Sequence, residues 1–411
     1  MKKIKVMPIF GTRPDAIKMC PLIHELRKHD NIETVVCVTG QHREMLLSVL
    51  EFFNIVPEYN LDIMRPNQTL ETITTDIIEK LSPVLKEEKP DIVLVHGDTS
   101  TAFAAAVTAF YNKIPVGHVE AGLRSYDKWS PYPEEMNRRI VGSIADLHFI
   151  PTPMCKEHLL RENITEGLYI TGNTEIDAVG YTVSDHVEFP AEIADKLDPS
   201  KKLIFVTAHR RENIGEPLEA ICRALGRIVD DNKDTQLIYL VHLNPKVQET
   251  VHKILDGKDR IILASPQSPF IAHNLLARSY LILTDSGGIQ EDAPALKKPV
   301  LVLRQETERP EGIEAGTARL AGTDEDTIYN MACALLNDTD EYNKMANAKN
   351  PYGDGTTSAR ICQAILHHFV SNTIFSISIF LLSFIIIISN QLIIIELYNF
   401  KITIYMFHVK L

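Results

Sequence analysis

Residues 117 to 140, "GHVEAGLRSYDKWSPYPEEMNRRI", gather four acids and four basic side chains behind a short apolar run. Glu120 follows the strand-like "IPVGHV". Glu134 and Glu135 come after a proline-rich turn, with Arg138 and Arg139 just beyond. No cysteine or repeated histidine in this stretch has metal-ligand spacing, so no metal is expected at these acids. Carboxylates beside arginines without a metal suit either a solvated, salt-bridged loop or a site that moves protons while cations hold an anion.

Three further clusters favour the second use. "TDSGGIQEDAP" (284 to 294) reads as a strand end, two glycines and a helix start. Free backbone N–H groups of Ser286, Gly287 and Gly288 there would cradle a phosphate, and Glu291 and Asp292, one turn further, could take ribose hydroxyls. "GTRPDAIKM" puts Arg13 and Lys18 at another strand-to-helix junction, suited to an anion. "TAHRREN" sets His209, Arg210 and Arg211 together after an apolar strand. Each has an ordinary structural explanation: a tight turn for the glycines, surface charge for the arginines, a core position for the histidine. Their common position after strands argues against that explanation.

The elements that carry these clusters alternate from end to end. Strands are expected at "IKVMPIF", "TVVCVTG", "DIVLVHG", "IPVGHV", "DLHFIP" and "LYITGN", then at "KLIFVTAH", "LIYLVH", "RIILAS", "YLILTD" and "PVLVLR". All are rich in Val, Ile and Leu on both faces, as buried parallel strands should be. Helical segments such as "TSTAFAAAVTAFYN" and "PLEAICRALGRIVDD" lie between them. This βαβ alternation occurs twice, with a polar, strand-poor break at residues 172 to 201. Two Rossmann-like domains are expected, 1–172 and 173–351, facing a central cleft. Ligands of such sheets sit beyond the carboxyl ends of the strands, where the unusual polar residues fall.

A chain of 411 residues is long enough for two cores. Its net charge of −12 argues against nucleic acid as a partner, while a local arginine cluster still permits an anionic substrate. The six cysteines (Cys20, Cys37, Cys155, Cys222, Cys333, Cys362) are scattered, as in a reduced cytoplasmic protein. "MKKIKVMPIFGTRP" reads as a first strand and not a signal peptide. Residues 371–411 differ from the rest, with no Gly, Ala, Pro, Arg, Asp, Cys or Trp. Thr373 to Ile395 is uncharged and reaches the ~20 residues of a membrane span. The composition is nevertheless that of AT-rich codons translated past a stop. A read-through or frameshift product is expected, with membrane contact only if the tail is genuine.

Taken in order, "GTRPDAIKM", "HGDT", "HVEAGLRS", "PEEMNRR", "TGNT", "TAHRREN", "DSGGIQED" and "NPYGDG" resemble the non-hydrolysing UDP-N-acetylglucosamine 2-epimerases of bacteria. The resemblance spans residues 4 to about 369. It implies a glycosyltransferase-B-like α/β fold, with the segment 352–370 crossing back to the first domain as a helix. It also implies a homodimer without cofactor that interconverts UDP-N-acetylglucosamine and UDP-N-acetylmannosamine for cell-surface polysaccharide synthesis. Asp98, Glu120 and Glu134 match the family's catalytic acids and His209 its catalytic histidine. In that chemistry UDP is eliminated to give 2-acetamidoglucal and then added back. Asp98 and Glu134 would transfer protons on the two faces of C2. Glu120 would position the sugar or share the proton work, and His209 would meet the departing phosphate. Arg13, Lys18, Arg138, Ser286 and Gly287 would contact the nucleotide sugar and diphosphate. Gln41, Glu44, Arg210 and His242 match a second, activating nucleotide-sugar site of some members. A hydrolysing 2-epimerase, a glycosyltransferase of the same architecture and an inactive nucleotide-sugar sensor remain alternatives. The chain departs from the family pattern at Asp292, where a glutamate is usual, and at Gln305 and Glu306, where an acid and a threonine are usual.

Overall fold

The computed structural model describes residues 3–41, 43–369, 392–398 and 401–407, the last two segments as backbone only. Fourteen strands of the main body form two all-parallel sheets, and helices cover both faces of each. The first contains β1 (Ile4–Phe10), β2 (Ile32–Thr34), β3 (Cys37–Val38), β4 (Tyr59–Asn60), β5 (Ile92–His96), β6 (Val116–Val119), β7 (Leu147–Ile150) and β8 (Leu168–Ile170). Their order is β4-β3-β1-β5-β6-β7-β8, with β2 also paired to β1. The second sheet contains β9 (Lys202–Thr207), β10 (Thr235–Leu240), β11 (Ile261–Ala264), β12 (Leu281–Thr284), β13 (Val300–Val302) and β14 (Ala318–Leu320), in the order β11-β10-β9-β12-β13-β14. The chain reverses its winding between β1 and β5 in one sheet and between β9 and β12 in the other. Those are the crevices where doubly wound sheets take ligands.

The central strands fall where the Val/Ile/Leu runs place them, because burial on both faces leaves a continuous apolar signature. Two short edge strands, β4 and β14, carry no such run. The "TVVCVTG" segment is broken into β2 and β3 and begins earlier than its apolar residues suggest.

Helices start where a side chain satisfies their free amides. Thr12 caps the helix Arg13–Arg27, Thr99 caps Ser100–Tyr111 and Asn173 caps Thr174–Thr182. Residues 357–369 form a further helix. Asp177 accepts from the amides of Thr357 and Ser358 at its start, at 3.1 and 2.6 Å. Ile361, Cys362, Ala364 and Ile365 of this helix lie in one cluster with Val6, Ile17, Cys20 and Ala178. The last helix of the main body thus completes the first core.

Segments 392–398 and 401–407 pair antiparallel, from Leu392 opposite Phe407 to Tyr398 opposite Lys401. The expectation for the remainder of the 371–411 tail lies outside the described residues. Among the described residues no helix is long and apolar enough to cross a membrane.

Candidate active site

The β1/β5 crevice is built first from a close approach. Gly11 ends β1 against the hydroxyls of Thr39 and Thr101, and any Cβ there would overlap both. That brings the Arg13–Arg27 helix start to the sheet end. Arg13, its first residue, makes no hydrogen bond or ion pair among the described residues and is a free cation at the rim. Lys18, one turn on, donates to Glu120 Oε2 at 2.5 Å and lies 3.8 Å from Glu175 Oε2.

Glu120 itself stands directly after β6 with φ of +64°, a left-handed conformation that a non-glycine residue adopts only when its surroundings impose it. Burial pushes its carboxyl up, but Lys18 and then His96 outweigh this and hold it at about 2. It is a permanent carboxylate.

Asp98 follows β5 and behaves differently. Burial raises its carboxyl to about 6 against the pull of Arg138, and the neighbouring charges of Glu120 and Glu134 add to the rise. Arg138 nevertheless lies 2.7 Å from Asp98 Oδ2, so the group is both desolvated and oriented. Glu134 and Glu135 open the same helix, Glu134–Ile144, yet diverge. Glu135 is fully buried and accepts from the amides of Ser125 and Tyr126 at 2.9 and 3.2 Å, fixing the aromatic loop between them. Glu134 makes no hydrogen bond or ion pair among the described residues. It is the acid left free to act.

The β9/β12 crevice is organised by Asp285, which is fully buried. Its Oδ2 accepts from the amides of His209 and Arg210, at 2.7 and 2.8 Å, and from Asn213 Nδ2 at 3.0 Å. One carboxylate therefore shapes the whole "HRREN" turn. Asp285 Oδ1 lies 3.6 Å from His209 Nδ1, and the His209 ring stacks on His242 at 5.0 Å. Burial lowers the His209 pKa; Asp285 opposes the shift, while His242 and Arg210 add to it.

The phosphate cradle is narrower than the sequence suggests. Ser286 N–H donates to Thr284 Oγ1 at 3.0 Å, so three free amides become two, those of Gly287 and Gly288. The guanidiniums of Arg210 and Arg309 flank the space beside Gly287, where a Cβ would sit 4.0 and 3.9 Å from them. Glu291 accepts from Asn173 Nδ2 at 2.6 Å and from Arg309 Nε, tying the second sheet's helix start to the end of the first. Asp292 is as buried as Glu291 and lies 3.5 Å from His273 Nε2, beside Glu175. Neighbouring helical residues point about 100° apart, so Glu291 and Asp292 cannot share one target.

The UDP-N-acetylglucosamine 2-epimerase family model matches residues 24–366. A Bacillus subtilis UDP-N-acetylglucosamine 2-epimerase is 54% identical over 370 residues, covering 90% of this chain and 97% of that protein. The UDP-N-acetylglucosamine 2-epimerase of Neisseria meningitidis, solved with UDP-GlcNAc bound, superposes with a TM-score of 0.76 at 45% identity. The match covers 88% of this chain and 99% of that one. The S. aureus MnaA–UDP structure matches with a TM-score of 0.77 at 51% identity, over 90% and 97% of the two chains.

The chain belongs to the UDP-N-acetylglucosamine 2-epimerase family. Its fold is accordingly glycosyltransferase-B-like, two parallel α/β sheets whose crevices face each other.

Among the residues expected from the sequence of this epimerase-family chain, Lys18, Asp98, Glu120, Glu134 and Arg138 gather at the first crevice. Arg309, which the sequence reading left out, lies near enough to help hold Glu120 ionised. It joins the two crevices. His209, Arg210, His242, Ser286, Gly287 and Gly288 gather at the second. Gln41 accepts from Thr101 Oγ1 at 2.9 Å, and Glu44 is exposed on the helix Arg43–Phe52. No hydrogen bond or ion pair links that pair to Arg210 or His242 among the described residues. Glu306 is exposed, so its added charge is solvated. Besides Arg309, the sequence reading missed Asp285 and Asp15. Asp15 is buried against Thr12 and Thr99 and raised to about 7, chiefly by burial. The signals existed, in "TDSGG", "ERPEG" and "GTRPD", but each residue also depends on a partner distant in the chain.

Proposed function

We propose that this protein interconverts UDP-N-acetylglucosamine and UDP-N-acetylmannosamine by eliminating and re-adding UDP. The observation that carries this reading is the division of labour between crevices. Carboxylates of unequal basicity crowd the first, and amides with arginines line the second. A carboxylate at the first crevice removes the C2 proton as the C1–O bond breaks. The bond's electrons leave on the β-phosphate oxygen of UDP, giving 2-acetamidoglucal. A second acid protonates C2 from the opposite face, and the UDP oxygen adds back to C1. Asp98 and Glu134 take the two proton transfers. Asp98 has its pKa raised toward neutrality, where general acid–base groups work best. Glu120, locked as an anion on Lys18, positions the sugar. Arg13, Arg210, His209 and the Gly287 and Gly288 amides stabilise the charge on the departing diphosphate, an arrangement that needs no metal at the reacting atoms.

The chain is read as two domains, 1–172 and 173–351, with 352–370 returning to the first. It is placed in the cytoplasm as a homodimer serving cell-surface polysaccharide synthesis. The nearest chemical rival is transient oxidation at C3 by a nicotinamide, which would also acidify C2–H. "GTRPDA" is not the Gly-x-Gly-x-x-Gly turn that such a cofactor uses. Substrate with oxygen-18 in the bridge between C1 and phosphorus separates the two. Elimination frees the β-phosphate to rotate, so label scrambles into non-bridging positions while solvent deuterium enters C2. Deuterium uptake with the label fixed in the bridge would sink the elimination reading. Free N-acetylmannosamine as the main product would show a hydrolysing enzyme instead.

A further inference from the structure

Asp98 sits in a turn between β5 and the helix Ser100–Tyr111, and the main chain of that turn is gripped from two sides. Gly97 opens the turn with φ of +59° and donates its N–H to the Val119 carbonyl at 2.9 Å. The Gly97 carbonyl lies 2.8 Å from Nε2 of His118, which is fully buried on β6. A carbonyl oxygen only accepts, so this ring nitrogen carries the proton and donates. The Asp98 carbonyl comes before the capping residue Thr99, outside the hydrogen bonds of the helix. It accepts instead from the side-chain amide of Asn137 at 2.8 Å, a bond that spans 39 positions of the chain.

Asn137 is buried and is the third residue after Glu134 on the helix Glu134–Ile144. Residues three and four apart are neighbours on a helix surface, so Glu134, Asn137 and Arg138 share the face turned to Asp98. Arg138 holds the Asp98 carboxylate at 2.7 Å, and the charge of Glu134 acts on the same carboxyl. One turn of helix thus carries one proton-transfer acid itself and grips the other by both its backbone and its side chain.

We propose that Asn137 is a positioning residue that sets the spacing between Asp98 and Glu134 by holding the Asp98 carbonyl. The inference rests on the reading that these two acids work on opposite faces of C2. Arg138 orients the Asp98 carboxylate but also changes its charge balance. The Asn137 amide is neutral and acts through geometry alone. Both acids must reach the same carbon, and a misplacement of about 1 Å can cost on the order of 100-fold in rate. Spacing also governs the fate of the intermediate. Once UDP and 2-acetamidoglucal have formed, a displaced acid protonates C2 late and the glucal escapes.

The test is Asn137→Ala in the full chain. Its kcat should fall ~10-fold or more, with KM and the calorimetric UDP affinity within about twofold of wild type. Released 2-acetamidoglucal per epimerisation should rise. In an Asp98→Asn background the same substitution should cost less than about threefold, because the group it positions is already gone. Wild-type kcat in Asn137→Ala overturns the assignment. So does an equal loss in both backgrounds, which means general damage to the fold, or a raised KM with kcat kept, which puts Asn137 on the sugar. Should Asn137→Ala fail to fold, Asn137→Ser, whose hydroxyl is too short to reach the carbonyl, takes its place in the same cycle. Oxygen-18 scrambling in the wild-type protein tests the elimination reading separately. Scrambling beside an unimpaired Asn137→Ala sinks only the positioning role, whereas label fixed in the bridge removes the elimination reading and the proposal with it.

Discussion

At the end of the first sheet the acting groups are carboxylates: Glu120 is matched to Lys18 and Asp98 to Arg138, while Glu134 has no partner among the described residues. At the end of the second sheet the one organising acid, Asp285, spends its Oδ2 on backbone and amide N–H groups, leaving Arg210, Gly287 and Gly288 pointing outward. The same fold unit, with the same winding reversal, therefore presents proton-transfer groups in one copy and an anion-binding surface in the other. The difference lies in which side chains follow the strands and not in the sheets. A nucleotide sugar spanning both crevices would have its reacting carbon at one and its leaving group at the other.

The largest effect that could break this comparison comes from the first crevice. Asp98→Asn and Glu134→Gln should each lower turnover by a factor on the order of 100 or more, the usual loss when acid–base help is removed. UDP affinity, measured by calorimetry, should change little. If UDP binding falls as far as turnover, proton transfer and anion holding are not separated.

A sharper version uses pH. Asp98 titrates near 6 in the fold because burial outweighs Arg138, whereas Glu120 is held near 2 by Lys18 despite its own burial. The ionised, proton-accepting form of Asp98 dominates above pH 6, so kcat/KM should fall as pH drops through that value. Asp98→Asn should lack this inflection, and Glu120 contributes none between pH 4 and 8. The stability sign is the reverse. The Asp98 carboxyl is raised above its ordinary value, so its stabilising contribution is complete below the unfolded range and lost as pH rises through 6. An inflection that persists in Asp98→Asn would assign the limb to another group.

Much of this arrangement is legible in the sequence, and the rest is hidden for identifiable reasons. Central strands announce themselves because they are buried on both faces, and the polar residues after them mark the crevices. What the sequence hides is pairing across long separations. Asp285 grips an amide turn 75 residues earlier, and Arg309 reaches Glu291 and the field of Glu120. Adjacent acids are hidden too. Glu134 and Glu135, like Glu291 and Asp292, are alike in type and separated only by the turn of a helix. Glu134 is left free while Glu135 braces a loop, and Glu291 meets Arg309 while Asp292 lies against His273.

A smaller effect tests the anion side. Arg13 has no partner among the described residues, so Arg13→Ala should leave the fold intact. One charge-assisted hydrogen bond is worth about 1.5–3 kcal/mol, so KM for the nucleotide sugar should rise roughly tenfold or more. A change confined to kcat would move Arg13 from holding UDP to the chemistry. The smallest effect is expected at the far end. A chain ending at Val370 should keep full turnover and its melting temperature, measured side by side with the 411-residue protein. Loss of either would show that the tail supports one of the two crevices.

The returning helix also bears on how the protein is made. Ile361 and Ile365 fill the same cluster as Val6, on β1, and the helix start is held by Asp177. The ribosome delivers these residues roughly 190 positions after β8, about 20 s later at about 10 residues per second. Until then the first sheet waits with an open apolar groove on one face while the second is still being synthesised. The first half therefore cannot finish folding at the moment it emerges. Its completion is tied to the end of translation, and the interval is when a chaperone would have most to cover.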